Sequence, residues 1–217
     1  RDMHDTFYLQ GKPTGDPVYF DEYAGKVAEV HETGGDTGST GWGYEWKQGK
    51  AKKRLLRTHT TAVTARALAM AGAKDMPVKV FSVGKVFRNE SVDYKHLPEF
   101  YQVEGIIADP KVNFTNLLGI LKHFYTSMGF DRIRFRPGYF PYTEMSVEPE
   151  VYFPDKKEWI ELGGAGIFRP EVVKPLLGVD VPVLAWGLGL DRVVTLKMGL
   201  KDIRSLYISD LKWLEGN

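Results

Sequence analysis

The sequence predicts an α+β fold, an antiparallel β-sheet flanked by helices. Three observations predict it: strand-like runs dominate the order, helices are interspersed among them, and residues 78–87 and 98–107 form an antiparallel hairpin with an unusually long polar connection at 89–97. Taken in order, residues 3–9 read as a short strand entering the domain. Residues 34–43 carry too many glycines for a helix or strand and form a loop; no GK[ST] follows, so it is mobile or partner-facing rather than a phosphate-binding loop. The basic run 50–57 is a solvated face that can also meet RNA phosphate. Residues 60–71, rich in Ala, Leu and Met, form a helix with Gly72 as its C-cap. Residues 113–128 form a second helix, capped by Asn113, with Phe114, Leu117, Leu118, Leu121 and Tyr125 on its buried stripe. Strands follow near 132–136, 146–153 and 158–162, and a short apolar strand, 182–187, runs into a helix at 188–198.

With 217 residues, 43% of them hydrophobic, the chain supports one well-packed domain over residues 1–217, and no Pro/Ser-rich linker or charge block divides it. Cysteine is absent, which excludes disulfides and Cys-ligated metal and fits the cytoplasm. No run approaches the ~18 apolar residues of a membrane span. The polar start, Arg1 to Asp5, does not resemble a secretory signal. Lysine and arginine number 29 against 28 acidic residues, without the basic bias of a protein that wraps nucleic acid, so any RNA contact is local or supplied elsewhere.

Four constellations carry chemistry. In the hairpin, alternation puts Phe100, Gln102 and Glu104 on one face. An amide and a carboxylate beside an aromatic make either a solvent-facing edge or the floor of a ligand site, because burying them without partners costs several kcal/mol. Arg88 and Glu90 share a face of the partner strand, where an arginine can grip phosphate bidentately. The second is Gly187-Leu-Gly-Leu-Asp-Arg192, a strand-to-helix turn whose glycines allow close approach and whose arginine joins exposed N–H groups that favour anions; a tight turn with a surface arginine reads equally well. Third, Phe140 and Tyr142 project the same way on an extended strand and are followed by Glu161 and the run Gly163-Gly164-Ala165-Gly166, which is either a core pair or a flat apolar pocket. Glu161 is a candidate magnesium ligand. The fourth, Arg57-Thr58-His59-Thr60-Thr61, precedes a helix, where the threonines are plain N-caps or, with His59, part of a site.

The order Arg88-x-Glu90, long loop, Phe100-x-Gln102-x-Glu104 and Gly187-Leu-Gly-Leu-Asp-Arg192 resembles the second and third motifs of class II aminoacyl-tRNA synthetases. Finer matches resemble the alpha subunit of phenylalanyl-tRNA synthetase in its archaeal or eukaryotic-cytosolic form: Arg1 to Phe7, Leu56-Arg-Thr-His-Thr-Thr61, Phe135-Arg-Pro through Phe140-Pro-Tyr-Thr-Glu144, and Glu161-Leu-Gly-Gly-Ala-Gly166. The resemblance runs end to end. It implies activation of L-phenylalanine by ATP and transfer to the terminal adenosine of tRNA(Phe), with Mg2+. Arg88 would hold the α-phosphate, Glu90 the adenine side and His96 the outer phosphates. Phe100 would stack on adenine, with Arg192 on its other face or on the γ-phosphate. Gln102, Glu104, His59 and Thr61 would orient the amino acid's polar end. Phe140 and Tyr142 would edge the phenylalanine ring, Ala185 would leave room at the bottom, Gly164 and Gly166 would line the wall, and Tyr8 would close that side. The Tyr142 hydroxyl implies imperfect exclusion of tyrosine, corrected by a separate editing site. The resemblance further implies a beta-subunit partner in an α2β2 enzyme. The first class motif and the N-terminal tRNA-binding extension are expected upstream of Arg1. Competing expectations are a paralogue that forms an aminoacyl-adenylate without charging tRNA, a relative handling phosphoserine (which Phe140 and Tyr142 disfavour), and a non-catalytic scaffold (which both arginines disfavour).

Overall fold

The computed structural model describes residues 5–11, 20–154 and 157–216. Of the strand expected at 3–9, Met3 and His4 lie outside the described residues, and the rest makes one antiparallel bridge, Tyr8 to Leu55. Gly11 at φ +103° turns the backbone out of that pairing. Helix α1 (Phe20–Thr33) was not expected from the sequence: its charges mask a thin apolar stripe on which Val30 is buried. The glycine-rich loop that follows was expected to be mobile or partner-facing. One contact ties it to α5 (Pro170–Leu177), with Lys174 Nζ donating to the Asp36 carbonyl at 2.6 Å and pairing with its carboxylate at 2.8 Å.

The single turn α2 (Gln48–Ala51) leads into the basic run, and α3 (Thr61–Met70) follows it. Gly72 does not cap α3. Ala71 and Gly72 are both extended, so the helix stops by a switch to β geometry rather than by a left-handed glycine.

Seven strands form one antiparallel sheet: β1 (Val78–Phe87), β2 (Glu99–Ala108), β3 (Ile133–Pro137), β4 (Thr143–Phe153), β5 (Glu158–Glu161), β6 (Gly163–Phe168) and β7 (Val183–Gly189). Their order is β1-β2-β7-β6-β4-β3, with β5 beside β4. The expected hairpin is β1–β2, paired from Val78 with Ala108 to Phe87 with Glu99. β6 escaped the sequence because glycines have poor strand propensity; here β4 and β7 supply its ladder from both sides. Arg88 and Glu90 lie just beyond the end of β1, and Phe140 and Tyr142 lie in the turn before β4 rather than on an extended strand.

The remaining helices are α4 (Phe114–Ser127), α5 (Pro170–Leu177), α6 (Leu190–Lys197), α7 (Ser205–Ile208) and α8 (Leu211–Leu214). Asn113 and Asn116 cap α4 reciprocally, each side chain accepting from the other's backbone N–H. The stripe of α4 (Leu117, Leu121, Tyr125) packs on one sheet face against Val147, Val151, Ala165, Leu184 and Leu188. On the other face, Leu68 of α3 and Val173 and Leu177 of α5 meet Ile106, Ala108, Phe168, Val183 and Ala185. Each fully buried leucine contributes about 1.5–3 kcal/mol of transfer free energy. Since α3 and α5 cover only part of that second face, the remainder is left open as a cavity.

Candidate active site

The floor of the cavity is set by strand register. Glu104, Gly187 and Gly164 lie in one row across β2, β7 and β6, and Ile106, Ala185 and Gly166 in the next. A row of glycines leaves room above the sheet, and two side chains lean into that room. A Cβ on Gly187 would meet Gln102 Nε2 at 2.5 Å, and one on Gly164 would meet the Phe140 ring at 2.4 Å. The space beside Gly166 is taken by Thr143 and the Met145 carbonyl. Both wall glycines thus line the cavity while their vacant positions seat protein groups. Gly189 opens onto empty space. The cavity holds about 410 Å³, within the range of small-molecule sites. Every residue expected to bind ATP, phenylalanine or metal lines it except Tyr8. The bridge to Leu55 carries Tyr8 to the basic run, where its ring is 41% exposed with Lys53 Nζ at 5.3 Å from the centroid.

At one end Glu104 is 3% exposed. Its Oε2 accepts from the hydroxyls of Thr60 and Thr61, each at 2.9 Å, and its Oε1 from that of Thr64 at 2.7 Å. Thr60 N–H donates to Gln102 Oε1 at 3.2 Å. The threonines are therefore not side-chain caps of α3; their hydroxyls are turned to the carboxylate. Burial pushes the Glu104 carboxyl up, and the three hydroxyls pull it partly back by favouring the anion. Of the two readings of Thr60, N-cap or part of a site, the structure gives the second; Thr64 was missed, although its four-residue spacing from Thr60 was a readable signal.

Beside this end stand aromatic layers. Tyr142 stacks between His59 (6.2 Å, 28°) and Phe140 (6.2 Å, 26°) and meets Phe168 edge-on at 6.2 Å. Ala185, 5% exposed, closes the bottom.

The other end is cationic. Arg88 donates from Nε to the Thr58 carbonyl at 3.1 Å, with its guanidinium 4.9 Å from the Phe100 ring centroid. Arg192, at the start of α6, donates from Nη1 to the Glu161 carbonyl at 3.1 Å and lies 3.5 Å from its carboxylate. Asp191 anchors that turn, accepting from Tyr101 N–H at 3.0 Å and the Tyr207 hydroxyl at 2.5 Å. His96 lines the mouth, with Nδ1 3.0 Å from Asp93. The Glu161 side chain is 41% exposed, yet desolvation on its protein side pushes its carboxyl up; Arg192 opposes this and neighbouring Glu148 adds to it. Glu148, also at the cavity, was not foreseen. Among the described residues there is no cluster of three or more metal-binding side chains. Two carboxylates of like charge fit a hard cation that keeps waters and substrate oxygens as its other ligands.

The family model for the tRNA synthetases class II core domain (F) matches residues 1–217. The phenylalanine–tRNA ligase alpha subunit of Methanopyrus kandleri is 59% identical over 215 residues, covering 99% of this chain and 40% of that protein. Those of Methanothermobacter thermautotrophicus and Archaeoglobus fulgidus are 56% and 54% identical, with 100% and 99% of this chain and 41% and 44% of theirs covered. The chain thus spans about two fifths of the length of these curated relatives. In fold it is similar to a pyrrolysyl tRNA synthetase, PylSc of Desulfitobacterium hafniense, with a TM-score of 0.56 at 18% identity over 73% of this chain and 55% of that one. An antiparallel sheet whose open face carries the two arginines and the carboxylate–amide pair, matched from end to end by that family model, places this chain in the class II core-domain family of the tRNA synthetases, F type.

Proposed function

We propose that the cavity activates phenylalanine with ATP and that the chain acts as the catalytic core of a phenylalanine–tRNA ligase alpha subunit. The observation that carries this reading is Glu104: a buried carboxylate held by three neutral hydroxyls, facing a cavity whose far end is cationic. Neutral donors fix the anion without cancelling its charge, leaving an ammonium group as the favoured counter-ion. Gln102 and Thr61 complete the amino acid's polar end, and the layered rings of His59, Tyr142 and Phe140 over Ala185 suit a flat apolar side chain.

The phenylalanine carboxylate then attacks the α-phosphorus, an oxygen–phosphorus bond forms, and pyrophosphate leaves. Arg88 holds the α-phosphate and stabilises the charge that grows on its oxygens; Arg192 and His96 hold the outer phosphates. Phe100 provides a face for adenine and Glu90 accepts from its edge. Glu161 and Glu148 would hold Mg2+, which when bound neutralises phosphate charge. In the second half-reaction a terminal ribose hydroxyl of tRNA(Phe) takes the acyl group and AMP leaves. A beta-subunit partner, an α2β2 assembly and a cytoplasmic site belong to the same proposal. No helix among the described residues is long and apolar enough to cross a membrane.

The test is ATP–pyrophosphate exchange by the 217-residue chain with phenylalanine, using tyrosine as comparator. Phenylalanine-dependent exchange is expected. Folded protein giving none leaves a binding domain, and equal exchange with tyrosine breaks the ring-pocket assignment.

A further inference from the structure

Two walls of the cavity's cationic end meet in the segment that follows α6. Asp191, next to Arg192, is buried, and its Oδ2 accepts from the Tyr207 hydroxyl at 2.5 Å and from Tyr101 N–H at 3.0 Å. Tyr101 follows Phe100 in β2, whereas Tyr207 comes from α7. Burial pushes the Asp191 carboxyl up, and these two donors pull it partly back by favouring the anion. The other wall is the 89–97 connection, which carries His96. There Ile203, also buried, donates its N–H to the Tyr94 carbonyl at 3.2 Å while its side chain lines the cavity.

Between these two contacts the segment is held stiff. The Asp202 carboxylate accepts from Arg204 three times, from its N–H and its Nε at 2.9 Å and from its Nη2 at 2.6 Å. Backbone bonds close the turn: Ser205 N–H donates to Asp202 O and Leu206 N–H to Ile203 O, each at 3.2 Å, and Tyr207 N–H to Arg204 O at 3.0 Å. Ser209, at φ +56°, ends α7. Residues 203–207 therefore run from a backbone bond on the loop of His96 to a side-chain bond on the turn of Arg192. A short stiff link of this kind fixes the separation of two groups that must grip one flexible chain of phosphates, where a misplacement of about 1 Å is costly.

We propose that residues 202–207 are a brace that sets the separation of His96 and Arg192, with Tyr207 as a positioning residue that acts through Asp191 on the outer phosphates of a nucleoside triphosphate. The brace deepens the reading of the cationic end as an ATP site and rests on it. Tyr207 does not line the cavity, so its hydroxyl reaches the nucleotide only through the turn of Asp191 and Arg192. The base and α-phosphate lie outside its reach, because Phe100 is held in register with Val86 and Arg88 is anchored on Thr58.

The test compares ATP with AMP, which lacks the outer phosphates, by calorimetric titration of the 217-residue chain with magnesium present. The parent should bind ATP more tightly than AMP. Tyr207→Phe keeps the ring and removes one hydrogen bond to a charged group, so it should weaken ATP by about 3- to 10-fold and leave AMP within about twofold. Asp202→Ala, which frees the turn without touching Asp191, should give the same ATP-selective loss at about 2- to 4-fold. In phenylalanine-dependent pyrophosphate exchange, Tyr207→Phe should raise KM for ATP and hold KM for phenylalanine within about twofold. The brace is overturned if folded Tyr207→Phe binds ATP as the parent does, if ATP and AMP weaken alike, or if the parent binds the two equally. Should Tyr207→Phe not fold, Asp202→Ala decides by the same criteria. Normal exchange without an ATP-selective loss leaves the activation chemistry standing and removes the brace. Absent exchange with an ATP-selective loss sinks the activation chemistry and leaves the brace.

Discussion

The two ends of the cavity are built differently. At the Glu104 end the protein holds the carboxylate with three hydroxyls and the Gln102 amide with a backbone N–H, and rings stack on rings beside them. At the arginine end the charged side chains are partly exposed. Arg192 reaches Glu161 at 3.5 Å, Arg88 lies over an aromatic face, and His96 and Asp93 form an exposed pair. The first end is formed before any ligand arrives; the second holds two guanidinium groups that backbone carbonyls anchor at the cavity wall. Selectivity for a small substrate belongs where geometry is fixed. Stabilisation of charge that grows during reaction belongs where strong donors remain available.

Substitutions at the two ends should separate accordingly. The largest effect is expected from Arg88→Ala, which should lower kcat for pyrophosphate exchange by about 100-fold or more, the range for losing one preorganised charge-stabilising donor. Its KM for phenylalanine should change little. Unchanged kcat would remove Arg88 from the phosphate.

A smaller effect is expected at the preformed end. Thr64→Val keeps the shape and deletes one charge-directed hydrogen bond, so KM for phenylalanine should rise about 3- to 10-fold with kcat nearly constant. The ammonium group needs the carboxylate, so affinity falls as pH drops through the raised pKa of Glu104. Losing the hydroxyl lifts that pKa further, and the acidic limb of 1/KM should move to higher pH. Thr64→Ser should restore both. A rise in KM with an unmoved acidic limb would make Thr64 merely a packing residue.

The smallest change is expected from Ala185→Gly. Removing one methyl from the floor should leave phenylalanine exchange within a fewfold and raise exchange with para-substituted phenylalanines, because the stacked rings keep the enlarged space open. If analogue exchange does not rise, the ring pocket lies elsewhere.

Much of this was legible in local pattern. The hairpin, α4 and the turn into α6 follow from alternation, from Asn113 before an apolar stripe, and from glycines ahead of an arginine. What failed did so for nameable reasons. α1 has too thin an apolar stripe, β6 is a strand by virtue of its neighbours, and Tyr8 was drawn aside by its bridge to Leu55. Glu148 becomes part of the site only through the pairing of β4 with its neighbours.

By itself the sequence determined the residue types and their order along the chain: two arginines for anions, an amide and a carboxylate two residues apart, aromatics near a glycine run, and a basic strip just before His59. The tertiary structure decided which of them meet. Register put the glycines of β6 and β7 beside Glu104, so that the floor is open, and the first turns of α3 brought three hydroxyls to a carboxylate about 40 residues away. Such contacts across long stretches of chain depend on how elements pack, and periodicity within one element carries no record of the element that will face it.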